Sequence, residues 1–411
     1  MTDLRISVRN TSDTGGTFLT PFYFGFHDEG FDLFNVGEEA SPGLEALAED
    51  GDFGALAGER SAASPDSQGL VVAGEAGPIA TQEFTSNRIT VDGTVNNLAS
   101  FGAMILPSND AFVGTSTALT LFDDAGMFTG AQTVVLEGSN VYDAGTEVNT
   151  ELDAAFINQT APDTGVDENG VIRLHPGFNG SEGNPDGEGD QIILGGTNAF
   201  GVAIDPVAGD FTLPGAQIAV VHVNTVEERQ GTDSGEVLGG NRSDNIINAG
   251  DGQDILLGRR GWDELNGEGG GDIILGGSGD DLINGGGGRD WISGGRDNDI
   301  IDGGRGADWI NGNRGDDVVA GGLGEDTLTG GSGDDLFVYV AGDGDDLIRD
   351  FDRNGDDQLA VDVDGIDTFA DLLATAEDVG FGVEFDFGDG DSVLLRGVDL
   401  DTLTETDFVF G

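Results

Sequence analysis

The chain has 411 residues, with 78 acidic side chains against 16 basic ones and a formal net charge of −62. Every basic residue is arginine and cysteine is absent, which excludes lysine chemistry, thiolate metal sites and disulfides. So large a negative charge also argues against binding to nucleic acid or insertion at an anionic membrane, and it favours cations as partners.

Residues 1–225 have the mixed composition of a folded domain, with stretches in which apolar and polar residues alternate. This period of two predicts strands, separated by turns rich in Gly, Asn, Asp and Pro. One short helix is predicted at Ser41–Glu49, where Ser41 can cap the helix and Pro42 suits its first turn. We therefore predict an N-terminal β-sandwich. The clearest strand-like stretches are Leu4–Val8, Phe18–Phe26, Ala118–Phe122 and Gln217–Val223.

Two further segments flank the central part of the chain. Residues 226–239 are polar, with few apolar side chains, and are predicted to form a linker. Residues 350–411 return to mixed composition and are predicted to form a small closing domain, with an amphipathic helix at Phe369–Glu377. Its strand-like pieces are Gln358–Val363, Val383–Phe387 and Ser392–Arg396.

A nonapeptide repeat fills the region 240–349. Residues 240–338 divide into eleven consecutive copies without an insertion, and a twelfth follows at 341–349. Gly276–Asn284, which reads Gly-Gly-Ser-Gly-Asp-Asp-Leu-Ile-Asn, is a clean copy. Positions one and four are mostly glycine, position six is aspartate in every full copy after the first, and position eight is always apolar. A low-complexity linker would not keep an apolar residue at every ninth position, so we predict a parallel β-roll.

The repeat has the chemistry of a calcium site. Calcium takes six to eight oxygen ligands, from carboxylates and backbone carbonyls. Glycines at positions one, two and four let the backbone adopt positive φ and turn its carbonyls inward, while aspartate at position six adds a carboxylate. The predicted ligands are Asp254, Asp263, Asp272, Asp281, Asp290, Asp299, Asp308, Asp317, Asp326, Asp335 and Asp346, with the turn residues Gly276, Gly277, Gly279, Gly285, Gly286, Gly288, Gly294, Gly303, Gly304, Gly306, Gly321, Gly322, Gly324, Gly330, Gly331 and Gly333.

The charge of the repeats supports this prediction. Residues 240–338 hold 20 acidic residues against 7 arginines, a net charge of −13. If each site needs one turn and its counterpart two repeats on, eleven copies hold about nine or more ions, or roughly +18. Without calcium the stacked aspartates repel one another and the glycine-rich backbone is costly to order, so we expect the repeats to be disordered.

The copies resemble the hemolysin-type calcium-binding (RTX) family, over about residues 236–411. The C-terminal Asp407-Phe408-Val409-Phe410 is also similar to the ends of type I secreted members, although Gly411 follows it. This resemblance implies export of an unfolded chain through a type I exporter and calcium-driven folding outside. It would account for the N-terminus Met1–Ser7, which lacks the pattern of a secretory signal. The expected location is secreted, extracellular or at the cell surface.

Residues 1–225 resemble the spondin N-terminal domain in its bacterial form. The resemblance implies a β-sandwich used in matrix and adhesion proteins, with no catalytic activity to carry over. A loop calcium ion is compatible with it, and Asp110, Asp143 and Glu147 are candidate ligands; the alternative is that they cap turns or face water. The matching stretches are His27–Gly37, Ala40–Gly51, Leu106–Phe112 and Tyr142–Asn149.

No His-Glu-x-x-His, Gly-x-Ser-x-Gly or phosphate-loop motif is present, so we expect no enzymatic activity. The expected function is that of a secreted calcium-binding matrix, surface or adhesion protein that contacts cell surfaces, glycans or itself. One alternative is a hydrolase of unrecognised type in residues 1–225. Another is a self-assembling filament or surface-layer subunit.

Overall fold

The computed structural model describes residues 1–11, 18–74, 78–80, 83–106, 111–144, 172–174, 216–351, 357–388 and 390–410. The predicted fold class is confirmed: β-sheets form the N-terminal part and a parallel β-roll forms the repeats. The chain divides into two compact units, Met1–Thr225 and Val226–Gly411. Within the described residues, no helix is both long and apolar enough to cross a membrane.

Two antiparallel sheets build the first unit. The order of the first sheet is Phe84–Val91, Thr2–Asn10, Gln217–Gln230 and Gln132–Glu137. The order of the second is Arg173–Leu174, Val141–Asp143, Ala111–Gly114, Leu98–Leu106, Phe22–His27 and Gln68–Val72, with Phe18–Leu19 and Leu119–Thr120 also paired to Leu98–Leu106.

The core of this unit lies between the two sheets. Leu4, Ile6 and Val8 alternate along one strand of the first sheet and are fully buried. They belong to the same core as Phe24 and Phe101 of the second sheet, whose ring centroids are 5.0 Å apart. Two sheets that pack face to face around an apolar core form a β-sandwich, as predicted; Arg5, Ser7 and Arg9, which alternate with these apolar residues, are buried as well.

Two helices, Pro42–Asp50 and Gly54–Ala63, cover the other face of the second sheet. The first begins as predicted, because the Oγ of Ser41 accepts a hydrogen bond from the backbone N–H of Leu44. The second was not predicted, since Phe53 at its start provides no side-chain cap. A 3₁₀ turn lies at Gly138–Asn140.

The second unit is a roll in which strands pair in parallel, and through the nonapeptide repeats each partner lies eighteen residues further on, as Ile301 does from Ile283. The first ladder contains Asp244–Asn248, Glu264–Asn266, Leu282–Asn284, Ile300–Asp302, Val318–Ala320, Leu336–Val340, Gln358–Asp362 and Phe408–Phe410. The second contains Val237–Gly239, Ile255–Leu257, Ile273–Leu275, Trp291–Arg296, Trp309–Arg314, Thr327–Ser332, Asp345–Ile348 and Asp391–Arg396, followed by the antiparallel Gly382–Gly388 and Ala376–Asp378. Short pairs within the turns form a third: Asp251–Gly252, Gly269–Gly270, Gly287–Gly288, Arg305–Gly306 and Leu323–Gly324.

Both ends of the roll differ in detail from the sequence-based expectation. The segment 226–239, predicted as a linker, is paired at each end: Val226 lies opposite Asp244, and Val237 opposite Ile255. Backbone hydrogen bonds need no apolar side chains, which is why polarity alone suggested a linker. In the closing region the helix is Phe369–Leu373, shorter than predicted, and 3₁₀ turns lie at Leu400–Thr402 and Glu405–Asp407.

Candidate metal centre

A single column of apolar side chains from each ladder fills the roll. All position-eight residues are 0–2% exposed. They are Ile247, Leu256, Leu265, Ile274, Ile283, Ile292, Ile301, Ile310, Val319, Leu328 and Phe337. The interior is therefore thin, with one apolar side chain for each nonapeptide.

The position-six aspartates form two buried columns beside this interior. All ten are at most 3% exposed. The Oδ1 of Asp299 accepts a hydrogen bond from the backbone N–H of Asp281, 2.8 Å away, and Asp308 accepts in the same way from Asp290, 2.7 Å away. One column holds Asp263, Asp281, Asp299, Asp317 and Asp335, and the other holds Asp254, Asp272, Asp290, Asp308, Asp326 and Asp346.

The second carboxylate oxygen of these residues, Oδ2, lies in a different environment from the Oδ1 that accepts the hydrogen bond between coils. In six of them Oδ2 is buried and accepts no hydrogen bond. These residues are Asp254, Asp272, Asp281, Asp290, Asp308 and Asp326. A buried carboxylate oxygen without a donor is strongly unfavourable, so these oxygens are suited to bind a cation.

Burial also raises the pKa of the column carboxyls. It raises the pKa of Asp290, Asp335 and Asp346 to about 7, and those of Asp308 and Asp326 to about 6. The pKa of Asp272 is raised by the same cause. The pKa of Asp281 rises well above its usual range, first because of burial and then because of the neighbouring carboxylates of Asp299 and Asp263. A bound cation would lower all of these values.

Glycines at positions two and four have the positive φ that was predicted. The φ of Gly288 is 149°, and a Cβ atom there would lie 1.3 Å from the carbonyl oxygen of Gly270. The other site glycines with positive φ are Gly277, Gly279, Gly286, Gly304, Gly306, Gly322, Gly324, Gly331 and Gly333.

Position one corrects part of the prediction, because its glycines do not adopt positive φ. A Cβ atom on Gly276 would lie 2.4 Å from Oδ2 of Asp281 and 2.6 Å from the carbonyl oxygen of Gly294. Glycine at this position therefore leaves space beside the carboxylate. The same position is occupied by Gly285, Gly294, Gly303, Gly321 and Gly330.

The donors in the roll fit calcium. In the part of the chain that the structure describes, no three His, Asp or Glu side chains come together as a metal site. Carboxylate oxygens instead lie beside backbone carbonyls, as at Gly276, Asp281 and Gly294. Hard oxygen donors of these two kinds are the ligands that calcium prefers.

The candidate ligands of the first unit fall outside the described structure. Asp110 and Glu147 are not among the described residues, and Asp143 ends the strand Val141–Asp143 with its side chain outside the description. Sequence reasoning missed a cavity of about 350 Å³ on this unit, whose lining includes Asp28, Asp66, Asp123 and Asp124. Acidic residues are so frequent in this chain that those lining the cavity did not stand out in the sequence.

Two histidines of the first unit have structural partners. The Nδ1 of the buried His27 lies 2.6 Å from the carbonyl oxygen of Asp28, and its Nε2 lies 2.9 Å from Oγ of Ser100. Burial lowers the pKa of His27. His222 is buried and its Nδ1 lies 2.7 Å from Oγ1 of Thr133. Both side chains lie within the fold.

Comparison with known proteins supports both resemblances. Residues 19–166 match the Spondin_N family, and four stretches match the RTX calcium-binding nonapeptide repeat: 239–274, 266–301, 275–310 and 302–337. No curated protein matches the chain. Among solved structures, the extracellular lipase LipA from Serratia marcescens is similar at 17% identity and a TM-score of 0.21, over 45% of this chain and 40% of the lipase. The chain thus spans about two fifths of that lipase, and this likeness carries no argument about activity.

Proposed function

We propose that this protein, in which a Spondin_N domain precedes RTX calcium-binding repeats, is a secreted, non-enzymatic component of an extracellular matrix or cell surface. In this proposal calcium makes the roll rigid and the spondin-like unit makes adhesive contacts. RTX repeats bind calcium and are typical of secreted proteins, which supports the first part. The Spondin_N match is compatible with the second.

The observation that carries the calcium proposal is the pair of buried carboxylate columns, in which six aspartates have a buried Oδ2 without a hydrogen-bond donor. We assign the position-six aspartates and Asp346 as side-chain ligands, with carbonyls of the glycine turns completing each site. Calcium, when bound, supplies the positive charge that offsets adjacent carboxylates. With sites between successive coils, the roll would hold about nine or more ions.

The energetics explain why the ions are needed for folding. Each nonapeptide buries only one position-eight side chain, while nine residues lose backbone freedom on folding and the glycines lose the most. Hydrogen bonds between coils offset part of this deficit, and ion binding must offset the rest.

The proposed need for calcium in folding would also explain how the chain is exported. A chain that stays unfolded at low cytosolic calcium can pass through a type I exporter, and extracellular calcium then folds it. We propose that the C-terminal Asp407–Phe410 addresses the chain to that exporter. Deleting residues 403–411 should then retain the protein in the producing cell, and undiminished export of the shortened chain would contradict this step.

Calcium titration of the full-length protein tests the central proposal. In excess chelator we expect the roll to lose β-structure and compactness while the first unit keeps a cooperative thermal transition. Millimolar calcium should restore the roll, and calorimetry should count about nine or more ions. If circular dichroism and hydrodynamic radius are the same with and without chelator, the proposal is wrong.

The adhesive role needs a separate experiment. Residues 1–225 should capture specific surface partners, in a saturable manner, from intact cells or matrix. A panel of ester, glycan and peptide substrates tests the opposing reading as a hydrolase. Turnover by this unit without saturable binding would exclude the adhesive proposal and leave the calcium proposal intact.

A further inference from the structure

One outward face of the roll is unlike the rest of this acidic chain. It is formed by positions seven and nine of the second ladder, on the side opposite the buried column. None of its residues carries a carboxylate. We call this surface the outer face, and it comprises Val237, Ile255, Ile273, Trp291, Trp309 and Thr327 in one column and Gly239, Leu257, Leu275, Ser293, Asn311 and Thr329 in the other.

The first column is an exposed apolar stripe. Val237 is 67% exposed, Ile273 38%, Trp291 44% and Trp309 50%. Trp291 lies directly opposite Trp309 in adjacent parallel strands, which are about 4.8 Å apart. Exposed tryptophans aligned in this way along a roll indicate a contact surface, because single exposed apolar residues would be scattered.

A column of arginines borders the outer face. Position three of the turns that follow its strands is Arg242, Arg260, Ser278, Arg296, Arg314 and Ser332. Arg296 lies opposite Arg314 in the ladder, and all four arginines are exposed. Arg259 extends this edge onto the face itself, since its Nη2 lies 3.5 Å from the position of a Cβ atom on Gly239.

These arginines are available to a ligand. Among the described residues, the side chains of Arg242, Arg260, Arg296 and Arg314 make no hydrogen bond or ion pair. The chain has 78 acidic residues that could have paired with them. Five of the seven arginines of residues 240–338 lie in the turns on this edge, where exposed aspartates also occur, at Asp297, Asp316 and Asp334.

We propose that the outer face and its arginine edge bind an anionic polysaccharide that carries uronate carboxylates. Sugar rings would lie on the tryptophan stripe through their apolar C–H faces, and carboxylates would bind the arginines. Both columns run along the roll with a period of one coil, which suits an extended polymer better than a compact ligand. The net charge of −62 repels any polyanion, and it disfavours nucleic acid more strongly than a uronate polymer because nucleic acid has the denser charge.

Substitutions borrowed from the same columns test this proposal without disturbing the fold. Arg296→Ser with Arg314→Ser copies Ser278 and Ser332, and Trp291→Thr with Trp309→Thr copies Thr327. Binding of short oligogalacturonate to the full-length protein in calcium would be measured by calorimetry. We expect each double variant to weaken binding by about tenfold or more, and full methyl esterification of the sugar to do the same.

Control variants remove two arginines, or one exposed apolar side chain, from the other turn edge: Arg289→Ser with Arg305→Ser, and Leu323→Thr. They should bind like the unaltered protein, and calcium-dependent circular dichroism should be the same for all variants. No binding by the unaltered protein, or equal losses in the controls, would overturn the proposal. So would tighter binding of single-stranded DNA, or a dimer that the tryptophan variant abolishes while sugar binding persists.

Discussion

The backbone N–H of Asp281 donates a hydrogen bond to Oδ1 of Asp299, 2.8 Å away and one coil further along the roll. One carboxylate oxygen thus joins two coils, while the Oδ2 of Asp281 itself is buried without a donor. In our proposal, Oδ1 of a column aspartate holds two coils together and Oδ2 binds the cation. Substitutions can test these two roles separately.

The first prediction uses this separation at Asp281 and Asp290. Changing both to Asn keeps an oxygen that can accept the inter-coil hydrogen bonds but removes two buried charges. We expect lower calcium affinity together with more residual structure in chelator than the unaltered protein has. Changing both to Ala should lower affinity and also reduce cooperativity. Unchanged calcium affinity in the Asn variant would contradict the ligand assignment.

The second prediction concerns pH in the absence of calcium. Burial raises the pKa of Asp290, Asp335 and Asp346 from an ordinary 3.8 to about 7. A carboxyl with a raised pKa in the fold stabilises it below the unfolded pKa, and this stabilisation is lost as pH rises through about 7. In chelator the roll should therefore gain structure between pH 7 and pH 4. In calcium the trend should reverse, because protons compete with the ion; circular dichroism at both conditions checks this.

The third prediction compares two glycines with positive φ. A Cβ on Gly288 would meet the carbonyl oxygen of Gly270 at 1.3 Å, whereas a Cβ on Gly342, with φ of 97°, would meet nothing within 4 Å. Gly342→Ala should cost only the strain of its backbone conformation, about 1–2 kcal/mol. Gly288→Ala should disrupt the coil and lower the thermal midpoint far more. If both variants lowered the thermal midpoint in calcium by the same amount, the backbones at Gly288 and Gly270 would not be as close as the structure shows.

The fourth prediction concerns the thin interior. Ile283 is fully buried between Leu265 and Ile301 of adjacent coils. Ile283→Ala should lower the free energy of unfolding in calcium by about 2–5 kcal/mol, through lost burial and the cavity left behind. Leu323→Ala, at a residue 48% exposed, should change it by less than about 0.5 kcal/mol.

The fifth prediction concerns the C-terminal strand. Phe408 is 6% exposed, and its ring contacts Phe351, Phe369, Phe385 and Phe410. Phe408→Ala should destabilise this end of the roll by about 3–5 kcal/mol, because a repeat stack needs a closed end. Deleting residues 403–411 should then lower calcium affinity as well as block export. Phe385→Ala distinguishes these effects, because Phe385 is buried against Phe408 but lies outside the proposed export address; this variant should fold poorly but still leave the cell.

Much of the roll could be predicted from its periodicity. Ile283 at position eight and Asp281 at position six recur at fixed spacing, and one coil of two nonapeptides brings equivalent residues together. The role of Gly276 could not be predicted, because its need for glycine depends on a carboxylate in its own repeat and a carbonyl one coil away. Spacing alone does not show such a contact.

The first unit was less predictable in detail. Alternation along Leu4–Val8 predicted the side of its strand that enters the apolar core, but not the burial of Arg5 and Ser7 on the other side, and Ser41 predicted the start of the first helix. The helix Gly54–Ala63 has no cap and a weak apolar pattern, and its formation depends on Leu56 packing against the sheet. The outer face of the roll also escaped prediction, because Trp291 and Trp309 stood out only once the ladder placed them side by side.

The hydrogen bonds between coils lie along the roll, so tension applied to its two ends loads them one coil at a time. Each coil holds eighteen residues, as the pairing of Leu265 with Ile283 shows, and would release about 60 Å of extended chain when it opened. Ions shared between neighbouring coils would make each opening depend on local calcium. Under load the roll is therefore a tether that lengthens in steps and rewinds when the force falls.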